Sequence, residues 1–318
     1  MRMLLAFAAV GVLALGAAAC GSDDNSNGGG GGNSNLSGTI KIDGSSTVGP
    51  FAQAAAEKFQ GENPNVKVTV GTSGTGGGFE KFCAGETDIS DASRPIKPDE
   101  EAPVCKKKGI TYQQVQVAND GIAVTTNKDL TVDCLTVAQL KKLWNKGSKV
   151  KSLSEVKSGL PSTKLSLYGP GTDSGTFDFF TEKINGEEGV SRTDYQPSED
   201  DNVLVQGIEG SGGGLGYFGF SYYEGNASKL NLVGVDDGSG CVKPTAADIQ
   251  SGKYKPLSRP LFMYPSEKAL ARPEVKAFMR YVVENYQGIA KDAQIVPMTS
   301  SQVADAKKEL GQGEAKAS

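Results

Sequence analysis

"GTSGTGGGFEKFCAGETDISDASRPI", residues 71–96, decides how the rest of the chain is read. Five glycines and three hydroxyl residues precede its first phenylalanine, Phe79. A flexible loop would account for the glycine, but not for the apolar period that follows at once. Phe79 and Phe82 lie three apart, which predicts a helix beginning near Gly77. "TDISDAS" behind it reads as a short strand. A turn of glycines and hydroxyls running into a helix start offers unbonded backbone N–H groups, a good place to hold an anion.

Upstream, "GTIKIDGSSTVGP" reads as a strand over Thr39–Ile42 followed by a turn. Phe51, Ala55 and Phe59 repeat at helical spacing, with a stop near Gly61 and Pro64. "VKVTV" is a second strand. The resulting βαβαβ start implies a parallel sheet with helices on its faces and ligands at the carboxyl ends of its strands. Downstream, "YQQVQVANDGIAVTTNK" is a strand that changes character around Gly121. "TVAQLKKLWNKG" is a helix begun by Thr136 and ended by Gly147. "KLSLYGPGTDSGTFDFFTEKI" repeats the order strand, loop, helix. "GLGYFGFSYY" and "RPLFMYPS" read as strands, and "PEVKAFMRYVVENY" as an amphipathic helix. Tyr217, Phe218, Tyr222 and Tyr223, at strand spacing, read as core and sheet surface and not as a sugar-stacking platform.

Bulk properties narrow the function. A chain of 318 residues with 37% hydrophobic content supports a packed core in one large domain or two. A net charge of −4 argues against nucleic acid or an acidic membrane surface as the main partner. The absence of histidine removes Ser-His-Asp and Cys-His catalysis and histidine-ligated zinc. Residues 1–20, "MRMLLAFAAVGVLALGAAAC", carry one arginine before an apolar run that ends in small residues, the pattern of a secretory signal. Residues 21–35 form a polar, glycine-rich tether that cannot bury a core. "AAAC" resembles a bacterial lipoprotein cleavage site, with Ala17 where that pattern usually has leucine, which makes Cys20 the expected lipidation site. Cys83, Cys105, Cys134 and Cys241 remain, an even number in an exported chain, so two disulfides are expected. Three connectivities are open; Cys83–Cys105, closing a local loop, with Cys134–Cys241, stapling the middle segment, is favoured.

Three loops share one chemistry: "DGSSTVGPF" from Asp43 to Phe51, "GTSGTGGGF", and "GPGTDSGTF". Each lies between a predicted strand and a predicted helix, and each presents hydroxyls beside glycine. Ordinary helix capping explains any one of them. Three in matching context point to donors that converge on an oxyanion without a cluster of positive charge.

Together with "SGTGGGFEKFCAGETDISDASRPI", "GIAVTTN" and "GGLGYFGFSYY", these loops resemble the substrate-binding protein of the bacterial phosphate-specific ABC transporter, over nearly all of residues 36–305. The resemblance implies an α/β, two-domain periplasmic-binding-protein fold of type II. Domain I would comprise residues 36–122 and 259–318 and domain II residues 123–258, joined by two crossovers with phosphate in the cleft. It implies a monomeric, extracytoplasmic, lipid-anchored receptor with no cofactor, metal or catalytic role, which delivers phosphate to permease subunits. Site residues carried over are Ser46, Thr47 and the Val48 N–H from the first loop, and Ser73 and Thr75 from the second. Ser93 follows from the third strand, and Ser174, the Gly175 N–H and Thr176 from the third loop. Family members have an arginine shortly before the last Ser-Gly-Thr; here Pro170 stands there, and Arg94 is the expected replacement, with pairing to Asp91 or Asp99 as its alternative. A carboxylate facing the anion would accept the phosphate proton and reject sulfate, and Asp91 and Asp173 are the candidates. Binding of sulfate or molybdate is the alternative within the binding class, and an exported phosphatase the alternative outside it.

Overall fold

The computed structural model describes residues 36–311; the signal segment, Cys20 and the tether lie outside the described residues. The first strand, β1 (Gly38–Gly44), buries Ile40 and Ile42 and exposes Thr39 and Lys41, the period-two pattern of a strand with one face on a core. The helix Gly49–Glu62 then lays Phe51, Ala52, Ala55, Ala56 and Phe59 against that core, and β2 (Val66–Gly71) returns parallel to β1. After the helix Gly74–Ala84, β3 (Ile89–Ala92) pairs parallel with β1 on its other side, giving the expected parallel sheet.

The remaining strands are β4 (Val115–Asn127), β5 (Cys134–Thr136), β6 (Ser166–Pro170), β7 (Gln196–Ser198), β8 (Gly214–Gly219), β9 (Leu230–Asp236), β10 (Cys241–Val242) and β11 (Ser258–Pro265). The sheet runs β2-β1-β3-β11-β4-β8-β6-β7, with β11 antiparallel to both β3 and β4. Beyond β4, β9 pairs antiparallel with β4 and β10 and parallel with β5.

Among the described residues, two small hydrophobic clusters accompany two large ones along this path, and the large ones divide the chain between them. One draws its buried residues from Ile40 to Ala118 and again from Leu261 to Ala306. The other draws them from Ile122 to Leu257, with Val296 added. The change from one core to the other falls between Ala118 and Ile122 on β4, and between Leu257 and Leu261 around the start of β11. The residues in these two gaps include Asn119, Asp120, Ser258 and Arg259, and Asp120 and Arg259 are register partners in the β4–β11 ladder. This is the type II binding-protein architecture, α/β with a mixed sheet, and the polar crossover between the cores is what places the site.

Some elements differ from the pattern reading. The helix after β2 starts at Gly74, three residues earlier than the phenylalanine period indicates. Gly74 takes φ +80, a left-handed conformation that glycine adopts without a Cβ clash. Gly78 lies so near the first loop that a Cβ there would come within 2.5 Å of Gly44 Cα. Gly74 therefore serves the turn and Gly78 the close approach of helix to loop, while a Cβ at Gly76 would meet nothing. "GLGYFGFSYY" is a strand only through Gly219; Phe220–Gly225 is helical. The rings of Phe220 and Tyr223 meet at 6.1 Å, which suits positions three apart on a helix but would put them on opposite faces of a strand. The helix after Thr136 does begin with a capping box between Thr136 and Gln139, but it ends at Trp144, and Gly147 lies in the turn beyond.

Both favoured disulfides are formed, Cys83–Cys105 and Cys134–Cys241, with sequence separations of 22 and 107 residues. The first ties the helix that follows the second loop to the helix Glu101–Lys107. The second joins β5 to β10 across β9. Chain-entropy arguments give about 3 kcal/mol for the short loop and about 5 kcal/mol for the long one. Urea unfolding of the C83S/C105S and C134S/C241S variants is expected to show losses in that order, the second larger.

Candidate functional site

A cavity of about 470 Å³ opens between the two cores. Its walls bring together the first loop at Ser45, Ser46 and Thr47, the second at Ser73 to Gly77, the end of β3 at Ser93 and Arg94, and the third loop at Gly175. Segments that the sequence reading did not single out complete it: Asp178, Phe179, Glu182 and Lys183 on the helical stretch after Gly175, then Glu188, and Ser258 to Pro260 on β11.

Each loop is fixed by its own hydrogen bonds. In the first, the Ser45 N–H donates to Asp91 O at 2.9 Å, and the Gly49 N–H donates to Ser45 O at 2.9 Å, the first bond of the following helix. The amides of Ser46, Thr47 and Val48 precede that bond and are the open first-turn donors a helix start leaves. Val48 lies outside the cavity lining, and with its side chain fully buried in the core only its backbone N–H is left to serve a ligand. In the second loop, the Asp43 carboxylate accepts the Ser73 N–H at 3.0 Å and the Ser73 hydroxyl at 2.7 Å, and pairs with Lys81. Burial pushes the Asp43 pKa up, but the bonds from Lys81 and Ser73 outweigh it and hold the carboxyl below its usual value. The Ser73 hydroxyl is thus committed to the protein as the loop stands. Thr75 Oγ1 and Ser93 Oγ lie 3.1 Å apart, and the Ser93 N–H donates to Thr75 Oγ1 at 3.2 Å.

In the third loop, Ser174 is the N-cap of the helix Gly175–Phe180 and accepts the Thr176 N–H at 3.2 Å. Gly175 is the member that meets the cavity, while Ser174 and Thr176 lie outside its lining. A Cβ on Gly175 would run into Thr47 Oγ1 and Ser46 Oγ, so glycine is what lets the third loop touch the first.

The charged groups are placed differently from the sequence expectation. Arg94 lines the cavity but is engaged by neither Asp91 nor Asp99. It makes a two-point pair with Glu101, at 2.7 and 2.9 Å, from the short helix beside it. The arginine at the centre is Arg259, whose side chain is only 10% exposed. Its Nε donates to Asp120 at 3.1 Å, and its Nη2 donates to Thr47 Oγ1 at 2.7 Å and to Gly175 O at 3.0 Å. The guanidinium also stacks over the Phe179 ring at 3.9 Å. Burial lowers its pKa from the ordinary value, and the Asp120 carboxylate opposes that shift.

Neither candidate acceptor meets the cavity. Asp173 is exposed, with its N–H directed to Glu199 at 3.3 Å. Asp91 is fully buried beneath the first loop, and among the described residues neither of its carboxylate oxygens has a hydrogen-bond partner. Three carboxylates do line the wall, Asp178, Glu182 and Glu188, and of these Asp178 has a pKa raised to about 6, chiefly by burial and then by the charge of Glu188, against a lowering by Arg259. Asp178 lies three residues after Gly175, so helical spacing alone sets it on the same side as the loop.

Similarity to known proteins agrees with this geometry. The model of the PBP superfamily domain matches residues 30–285. Protein SphX of Synechococcus elongatus is 45% identical over 262 residues, covering 81% of this chain and 77% of that protein. The phosphate-binding protein PstS of Staphylococcus saprophyticus is 42% identical, covering 86% of this chain and 84% of that protein. The chain belongs to this phosphate-binding protein family. Among solved structures, a possible phosphate binding protein from Planctomyces limnophilus aligns with a TM-score of 0.82 at 48% identity, over 87% of this chain and 98% of that one. A putative phosphate ABC transporter substrate-binding protein from Clostridium perfringens, with bound phosphate, aligns at 0.58 and 26% identity, over 82% of this chain and 100% of that one.

The buried Asp91 has a measurable consequence. Desolvation, and then the nearby Asp43, raise its pKa well above the usual carboxylate value. The folded state therefore holds a proton that the unfolded chain releases near pH 4, and the stability this confers is lost as pH rises toward the folded pKa. Asp91→Asn keeps the shape without the titration. Its thermal midpoint is expected to exceed that of the wild type at pH 7.5, with the gap closing toward pH 4.

Proposed function

We propose that the chain is an extracytoplasmic receptor for inorganic phosphate that delivers its ligand to an ABC permease and performs no chemistry of its own. The observation that carries this reading is the meeting, on one cavity, of glycine-bearing helix starts from both cores with a buried guanidinium. Open amides at Ser46, Thr47 and Val48, hydroxyls at Ser46, Thr47, Thr75 and Ser93, and the Gly175 amide give a tetrahedral oxyanion short, directional donors. Residues 36–122 with 259–318 act as one domain and residues 123–258 as the other, closing on the ligand about the β4 and β11 crossovers. The signal pattern and Cys20 support tethering of the body to the membrane by lipid, as a monomer.

Asp178, and not Asp91 or Asp173, is the group that accepts the phosphate proton. Ionised, it is a pure acceptor, which a protonated phosphate satisfies and sulfate leaves unpaired and repelled. Protonated, it becomes a donor that any oxyanion oxygen satisfies. With a pKa of about 6, the preference for phosphate over sulfate should be high above that pH and decline below it. Calorimetry with phosphate and sulfate from pH 5 to 8 is expected to show this decline in the wild type and a flat, lower ratio in Asp178→Asn. A wild-type ratio that does not change with pH would remove Asp178 from the role.

The donor loops act on both anions alike. Ser46→Ala and Thr47→Ala are expected to weaken phosphate and sulfate together, by about 1 to 3 kcal/mol for each donor lost to a charged ligand. Wild-type protein that takes up no phosphate in the same calorimeter would overturn the receptor reading itself.

A further inference from the structure

Arg259 stands on the crossover strand, in register with Asp120 on the other crossover strand. It is bound to one carboxylate, one hydroxyl and one carbonyl, and these come from three different places in the chain. Thr47 belongs to the loop after β1, beside the first core; Gly175 belongs to the loop after β6, beside the second. A single nitrogen, Nη2, bonds both. Nη1, among the described residues, makes no hydrogen bond, although the side chain is nine-tenths buried and forms part of the cavity wall. A guanidinium has five donors in a fixed fork, and Nη1 is not among the buried unpartnered atoms, so its donors are open to the cavity. Asp120 and Arg259 lie where the chain passes between the cores, so their mutual bond is the one least disturbed if the cores rotate. The bonds to Thr47 and Gly175 are those that such rotation would make or break.

We propose that Arg259 is a crossover-borne positioning residue that draws the Thr47 and Gly175 loops onto one guanidinium nitrogen, holds the cavity in its closed geometry, and turns Nη1 to the bound oxyanion. Asp120 keeps the charge compensated while the cavity is empty, and the anion supplies the second counter-charge when it is filled. This assignment rests on the receptor reading above.

The test uses the full chain and inorganic phosphate, with affinity by calorimetry and thermal midpoints with and without ligand. Arg259→Met is expected to weaken phosphate at least about tenfold, as loss of bonds to a charged group requires. Asp120→Asn leaves a buried cation without its carboxylate. It should lower the midpoint of the empty protein and enlarge the rise on adding phosphate, because the ligand then replaces the missing charge. The double variant Asp120→Asn with Arg259→Met removes both charges. It should regain stability relative to Asp120→Asn yet remain weak for phosphate, whereas a purely structural ion pair would regain both. Small-angle scattering should show wild-type protein contracting on phosphate addition, and Arg259→Met contracting less. Wild-type affinity in Arg259→Met, or recovery of affinity in the double variant, overturns the assignment while leaving the receptor reading standing. Wild-type protein that fails to bind phosphate overturns the receptor reading first.

Discussion

A positive charge taken out of water must be compensated by charge and by hydrogen bonds, or it opposes folding by several kcal/mol. Arg259 meets that requirement with groups that are far apart in sequence: Asp120, Thr47 and Gly175. The constraint runs outward from there. The first and third loops must come close enough to share a nitrogen, and only glycine at position 175 leaves room for Thr47 and Ser46. The crossover strands must hold a polar pair at their meeting point, which divides the apolar residues into two cores. The aromatic face of Phe179 must cover the guanidinium from the side of the second core. Removing the charge relaxes all of these demands at once.

The second loop solves a different problem by the same means. Its helix begins on glycine so that Gly78 can lie against Gly44, and its capping carboxylate, Asp43, comes from the end of β1 and not from the loop itself. The first and second loops are therefore one unit. The Cys83–Cys105 bridge extends that unit to the helix Glu101–Lys107, whose Glu101 holds Arg94 at the cavity wall. Arg94 is thus placed near the ligand site with its charge already compensated, a weaker candidate for direct anion contact than Arg259.

Much of this was legible in the sequence because it is local. Strand–loop–helix order, the glycines at helix starts and the helix start at Thr136 each follow from patterns within a few residues, and an even cysteine count implies two disulfides without fixing their connectivity. Arg259 was not legible, because its partner Thr47 lies 212 residues away and nothing in "SRPLFMYPS" marks its arginine as buried. The burial of Asp91 away from the cavity was not legible for a different reason. All four residues of β3 are buried, so no alternation shows which face meets the ligand and which meets the core. Asp178 lay within reach of helical counting from Gly175, but the surrounding "TFDFF" reads as core, and Phe177, Phe179 and Phe180 are indeed buried.

The cavity wall carries Arg94, Lys183 and Arg259 as cations and Asp178, Glu182 and Glu188 as carboxylates, three of each. Full ionisation would leave the lining itself nearly neutral, within a chain of net charge −4, so the site offers little attractive field to draw an anion inward. Capture then depends on contacts made after arrival, and mobile ions have little long-range attraction to screen. Uptake by such a site would not slow as salt is added, and association rates measured across ionic strength would reveal it. The proposed site of action outside the cytoplasm, where salt is not under the cell's control, suits that indifference.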